Sequence, residues 1–158
     1  MRRRATVTLE DEVRHTENYL ELMKDRYEEN LIYNIEEAGE LERVKVPRVI
    51  LQPIVENCFK HGFGENGFPW IIHVAVTASH GHWRIHVRNN GRPFQERDLT
   101  ELNEKVEGFL KGEQKKISGI GLTNTIIRLR LLYEEQVEYE IYTGNDGYTY
   151  VVLKGNYK

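Results

Sequence analysis

The sequence predicts an α+β fold: a two-layer sandwich of a mixed sheet with helices on one face, preceded by an N-terminal helix. Two observations carry this. Alternating stretches come in pairs joined by short turn sequences, the signature of hairpins. Helical periodicities stand before and between those pairs, with no internal repeat and no low-complexity segment.

The elements follow in order. Thr8 and Asp11 form a capping-box pair, with aspartate in place of the usual glutamate. Leu9, Val13, Thr16, Leu20, Met23 and Tyr27 then recur at spacings of four and three. A stripe this narrow predicts a partner helix more than packing on its own domain. Leu31 to Ile35 reads as a strand, and residues 36–42 as an acidic connector. Pro47 suits the first turn of a helix. Ile50, Leu51, Ile54, Val55, Cys58 and Phe59 give that helix an apolar face, and Gly62 ends it. Pro53 either kinks it or marks its true start. Ile71–Thr77 and His82–Arg88 form a hairpin through residues 79–81. Residues 89–97 are turn chemistry, and 98–111 a weakly apolar helix. Residues 120–133 are a strongly amphipathic helix with Leu122, Ile126, Leu129 and Leu132. Val137–Tyr142 and Tyr148–Leu153 close the chain as strands around the turn Gly144-Asn145-Asp146-Gly147.

Composition narrows the functions. In 158 residues, 22 lysines and arginines stand against 25 aspartates and glutamates, a net charge of −3. That balance lacks the basic footprint of a nucleic-acid or anionic-membrane binder. Cys58 is the single cysteine, so no internal disulfide or cysteine zinc site forms. No apolar run approaches the ~20 residues that span a bilayer. The basic start, Met1-Arg2-Arg3-Arg4, leads into no apolar stretch of the signal-peptide kind. A soluble domain of a reducing compartment is expected.

Three constellations carry chemistry. Asn57, Lys60 and His61 share a helix face by their spacing, with Glu56 at its edge. An amide oxygen suits magnesium, and lysine and histidine suit phosphate; a solvated polar face explains the same residues. Asn89-Asn90-Gly91 directly follows an apolar strand and presents backbone amides at a sheet edge, as would a plain turn. Gly119-Ile120-Gly121-Leu122 opens a helix, where free amides attract phosphate; a glycine-rich cap looks no different. It is neither a dinucleotide fingerprint nor a P-loop, since the third glycine and any Gly-Lys-Ser/Thr are missing.

Taken together, Leu51-Gln52-Pro53-Ile54-Val55-Glu56-Asn57-Cys58-Phe59-Lys60-His61-Gly62, Val87-Arg88-Asn89-Asn90-Gly91 and Gly119-Ile120-Gly121-Leu122-Thr123-Asn124 resemble the N, G1 and G2 boxes of sensor histidine kinases. The first box, with Ile127-Arg128-Leu129-Arg130-Leu131-Leu132-Tyr133, resembles the LytS/YesM type. The resemblance implies a Bergerat ATP-binding catalytic domain over residues 31–158. Residues 1–30 would then be the last helix of a dimerisation and phosphoacceptor region. It implies ATP and magnesium as cofactors, with Asn57 holding the metal and Lys60 and His61 approaching the phosphates. Glu56 matches the acidic neighbour of that asparagine, placed with Asn57 and Lys60 as a catalytic residue. Asn89 falls at the acceptor for the adenine amino group, and Gly91 lets the base lie close. Gly119 and Gly121, with Leu122 and Asn124 beside them, match the phosphate-binding turn. Gly147 and Thr149 match a Gly-x-Thr that supports the adenine site, and residues 94–118 match the lid over ATP.

The implied partners are a response regulator, the kinase's own phosphoacceptor bundle and, in the parent, a second copy; nucleic acid is not among them. The implied setting is the cytoplasmic side of a membrane-anchored bacterial sensor. Two departures stand out. Asn89 replaces the usual aspartate, which predicts weakened ATP binding, and Arg92-Pro93 follows Gly91 where another glycine is usual. The Pro-His-Phe-Leu-Phe-Asn-like acceptor motif is absent, and His15 lacks its context. The alternative is therefore a degenerate nucleotide-binding or dimerisation scaffold. A chaperone-type ATPase is disfavoured by Pro53, which stands where those enzymes carry a glutamate.

Overall fold

The computed structural model describes residues 6–63, 67–112, 121–133 and 136–158. Its main sheet has five strands: β2 (Leu31–Gly39), β4 (Trp70–Ser79), β5 (His82–Asn89), β6 (Glu138–Thr143) and β7 (Thr149–Asn156). Their spatial order is β2-β4-β5-β7-β6. β2 runs parallel to β4, and every other neighbouring pair is antiparallel. A small two-stranded sheet pairs β1 (Thr6–Thr8) with β3 (Lys45–Pro47). The helices are α1 (Leu9–Tyr27), α2 (Gln52–Asn57), α3 (Glu96–Leu110) and α4 (Gly121–Tyr133).

Alternation explains the layers. Ile72, Val74, Val76 and Ala78 of β4, Ile85 and Val87 of β5, and Val151 and Leu153 of β7 are buried on one face. Leu9, Val13 and Leu20 of α1, Ile54 and Val55 of α2, and Leu122, Ile126 and Leu129 of α4 share that core. The β4–β5 turn has two residues, His80 at φ 53° and Gly81 at φ 80°, one fewer than the sequence suggested. Both positive angles match the hairpin turn that follows strand twist.

Three expectations change. The α1 stripe is spent within the chain: Leu9, Val13, Thr16 and Leu20 are each 0–1% exposed, and Met23 and Tyr27 pack against the core. The predicted partner is the chain's own sheet and α2. The capping box is present, with Asp11 N–H donating to Thr8 Oγ1 at 3.1 Å and Thr8 N–H to Asp11 Oδ2 at 3.3 Å. Second, β2 continues through the acidic residues to Gly39, because its ladder with β4 runs that far and its outer edge faces water. Third, Pro47 ends β3 and starts no helix; α2 begins at Gln52, with Pro53 in its first turn. Residues 48–51 are held as a loop by side chains from α1 and α4.

Candidate functional site

Strand pairing builds one wall of the site. Asn89 lies directly opposite Thr149 in the β5–β7 ladder. Each ends the buried face of its strand, two residues beyond Val87 and two before Val151, so two polar side chains close an apolar surface. Both are buried, at 5% and 2% exposure. They border a cleft of about 410 Å³. α2 contributes Ile54, Asn57 and Cys58, and α4 contributes Leu122 and Thr123. The far wall is the segment from Arg92 into α3, including Phe94, Arg97, Leu102 and Lys105.

The amide of Asn89 is fixed at both ends. Its Oδ1 accepts the Gly91 N–H at 2.8 Å, and its Nδ2 donates to Cys58 Sγ at 3.2 Å. The Cys58 thiol in turn lies 3.7 Å from the Ile54 carbonyl, to which it donates. Burial pushes this thiol up to about 12, so it stays protonated and unreactive as a nucleophile. The orientation leaves the second lone pair of Oδ1 to accept from a ligand's amino group. The Thr149 hydroxyl donates to the Arg92 carbonyl at 3.4 Å, tying the turn after β5 to β7.

The N-box residues separate after Asn57. Helix α2 widens into a π-helical turn over Cys58–Phe63, which moves later side chains out of the i+3, i+4 phase. Lys60 is exposed and lies outside the cleft lining, as does Glu56, whose carboxylate accepts from Gln52 Nε2 at 3.4 Å. The His61 side chain and all of Gly119 lie outside the described residues. Gly91 is buried with its N–H spent on Asn89. Gly121 has a packing duty: a Cβ there would stand 3.1 Å from Pro53 Cβ, so its bare Cα lets α4 approach α2. Asn124 is outside the lining, and its buried Oδ1 has no hydrogen-bond partner among the described residues.

The lining also holds residues that motif reading missed. Cys58 reads as part of an apolar helix face, and Thr123 stands inside the third box with no role assigned to it. Arg97 and Lys105 looked like ordinary charges on a weakly apolar helix, and only the position of α3 over the cleft makes them wall residues.

The donor set suits a nucleotide that carries its own metal. Among the described residues there is no group of three His, Cys, Asp or Glu side chains that would cage an ion. Magnesium keeps waters and phosphate oxygens as most of its ligands, so a single amide oxygen from Asn57 is an adequate protein share. Arg92, Arg97 and Lys105 bring positive charge to the same cleft, partly offset by Asp98 and Glu101 on the same wall.

No family model matches the chain. Sensor protein LytS of Oceanobacillus iheyensis is 29% identical over 141 residues, covering 89% of this chain and 24% of that protein. Sensor histidine kinase BtsS of Escherichia coli K12 is 27% identical over 148 residues, covering 94% and 23%. The chain thus spans about a quarter of the length of these relatives. The ATP binding domain of PrrB from Mycobacterium tuberculosis matches in structure with a TM-score of 0.61, over 97% of this chain and 96% of that one, at 14% identity. In sequence the chain is similar to the LytS and BtsS sensor histidine kinases, and it has the fold of histidine kinase catalytic domains.

Proposed function

We propose that the cleft binds Mg-ATP and that the domain passes its γ-phosphoryl group to a histidine outside this chain. The observation that carries the reading is convergence: Asn57, Asn89, Leu122 and Thr149, from four separate elements, line one cleft. On this reading Asn89 Oδ1 accepts from the adenine amino group and Thr149 backs it. Asn57 lends an oxygen to magnesium, which offsets phosphate charge when bound. The start of α4 with Leu122 faces the phosphates; Gly119 and the His61 side chain, outside the described residues, and Lys60 and Asn124, outside the lining, are assigned to the phosphate end by their places in the motifs. Glu56 is assigned to the reaction beside Asn57. In the transfer the γ-phosphorus–oxygen bond breaks as a phosphorus–nitrogen bond forms, and ADP leaves. Positioning and charge stabilisation do most of this work.

We assign residues 31–158 to the catalytic domain and 1–30 to the end of the dimerisation region, docked on it through α1. The phosphoacceptor bundle and a second copy belong to the parent protein. A response regulator is the proposed recipient of the phosphoryl group. In support, histidine kinase ThkA has been solved in complex with response regulator TrrA; it matches with a TM-score of 0.55 over 97% of this chain and 41% of that one. No helix among the described residues is long and apolar enough to cross a membrane, and we place the domain on the cytoplasmic side of a membrane-anchored sensor.

Calorimetric titration with MgATP tests the binding step. The chain should bind, and Asn57→Ala should remove the magnesium dependence. Incubation with radiolabelled ATP should leave the chain itself unlabelled; strong labelling at His15 would overturn the assignment of the acceptor. One observation favours the degenerate alternative: both ends of the Asn89 amide are already bonded within the chain.

A further inference from the structure

Outside the cleft, a buried polar cluster anchors the loop before α2. Glu12 of α1 is 3% exposed. Its Oε2 accepts the Val49 N–H at 2.8 Å, and its Oε1 accepts those of Ile50 at 2.7 Å and Leu51 at 3.1 Å. Val49 and Ile50 precede α2 and Leu51 is its N-cap, so none of these three amides has a partner within the helix. The apolar side chain of Leu51 caps nothing, and these loop amides are held instead by a carboxylate 37–39 residues earlier in the chain. The carbonyls of the same loop are taken from the other side. Arg128 of α4 donates to Val49 O at 2.9 Å and to Arg48 O, and Thr125 Oγ1 donates to Ile50 O at 3.3 Å. Between these two sets Val49 is held at φ 54°, a conformation that a β-branched residue adopts only when its surroundings impose it.

The other end of the segment is held by α1 as well. Phe59, two residues past Asn57, stacks on Tyr27 at 6.0 Å and meets Tyr19 edge-on at 6.1 Å. α2 has six residues, a rise of about 9 Å, so Asn57 at its last position cannot stay still while its start moves. Asn89 and Thr149 stand on β5 and β7; neither bonds the loop, and Asn89 reaches the segment only past the end of α2, through its 3.2 Å bond to Cys58 Sγ.

We infer that Glu12 is a positioning residue that fixes the Asn57 end of the cleft, so that α1 sets the affinity for the phosphate–metal part of the nucleotide far more than that for the base. This rests on the reading of the cleft as a Mg-ATP site. Energetic coupling is reciprocal: a ligand that engages Asn57 must also tighten the hold of Glu12 on the loop.

The test compares adenosine with a magnesium-bound non-hydrolysable ATP analogue, by calorimetry and amide NMR on the whole chain. Glu12→Gln should weaken the analogue about tenfold and leave adenosine within about twofold. Equal loss of both ligands, the mark of general unfolding, overturns the inference, and so does no loss of either. Hydrogen exchange on the unmodified chain keeps the inference testable even if the variant fails to fold. The Val49, Ile50 and Leu51 amides should exchange more slowly with the magnesium-bound analogue and not with adenosine. Unchanged exchange in the presence of bound analogue overturns the proposal. If the unmodified chain binds neither ligand, the Mg-ATP reading itself falls.

Discussion

Asn89 is where residue chemistry decides most. As an amide it offers one uncharged acceptor, already shared with the Gly91 N–H. An aspartate there would make a charge-assisted bond to an amino group, roughly twice as strong as a neutral one. To meet the second carboxylate oxygen the Cys58 thiol would turn its one proton from the Ile54 carbonyl, its acceptor in the native chain. Asn89→Asp should therefore tighten ATP by about 1 kcal/mol, several-fold in Kd. An unchanged Kd in a calorimetric titration would mean that Asn89 does not touch the base. Cys58 makes a second prediction. Its thiol should resist iodoacetamide in the native chain at pH 8 and react once the chain is unfolded. Because folding raises its pKa from 9.0 to about 12, the protonated thiol's contribution to stability is intact below pH 9. It is lost as pH climbs from 9 towards 12.

At the scale of elements, α1 is the instructive case. Its heptad-like spacing is real, but the same narrow stripe serves equally for lying along a sheet edge and a neighbouring helix. Only the neighbours distinguish the two. With Leu20 fully buried in the shared core, Leu20→Ala should cost about 2–5 kcal/mol, read as a shift in the denaturant midpoint. A change below about 0.5 kcal/mol would show that α1 is not docked. The break in phase after Asn57 is the matching lesson for α2. The i+3, i+4 rule placed Lys60 and His61 beside Asn57, but the π-helical turn over Cys58–Phe63 takes Lys60 out of the lining. A straight-helix projection makes no allowance for such a turn.

For the whole molecule, the sheet face turned away from the helices carries His73 and His86. Burial lowers both of their pKa values, with Arg88 beside each and Arg84 also acting on His86. The folded state thus prefers them neutral. Their contribution to stability is present above the ordinary value of 6.5 and fades as pH falls below it through the lowered values. The melting temperature should fall on acidification below 6.5, and His86→Gln should blunt that fall. An acid profile identical in the variant would place the sensitivity elsewhere.

Residue order is enough to read the α+β class, both hairpins, the capping box on α1 and the three boxes, two of which the described residues bring to the cleft together with Leu122 and Thr123 of the third. These features are local: strand alternation, turn residues and cap chemistry act over a few neighbours, and motif spacing survives any packing detail. Packing decides that α1 docks inward, that residues 48–51 form a loop, and that Cys58, Arg97 and Lys105 line the cleft. Each of those depends on partners far along the chain. The clearest is the Glu12 carboxylate, which supplies three amides about 38 residues away and which no periodicity would single out from its charged neighbours.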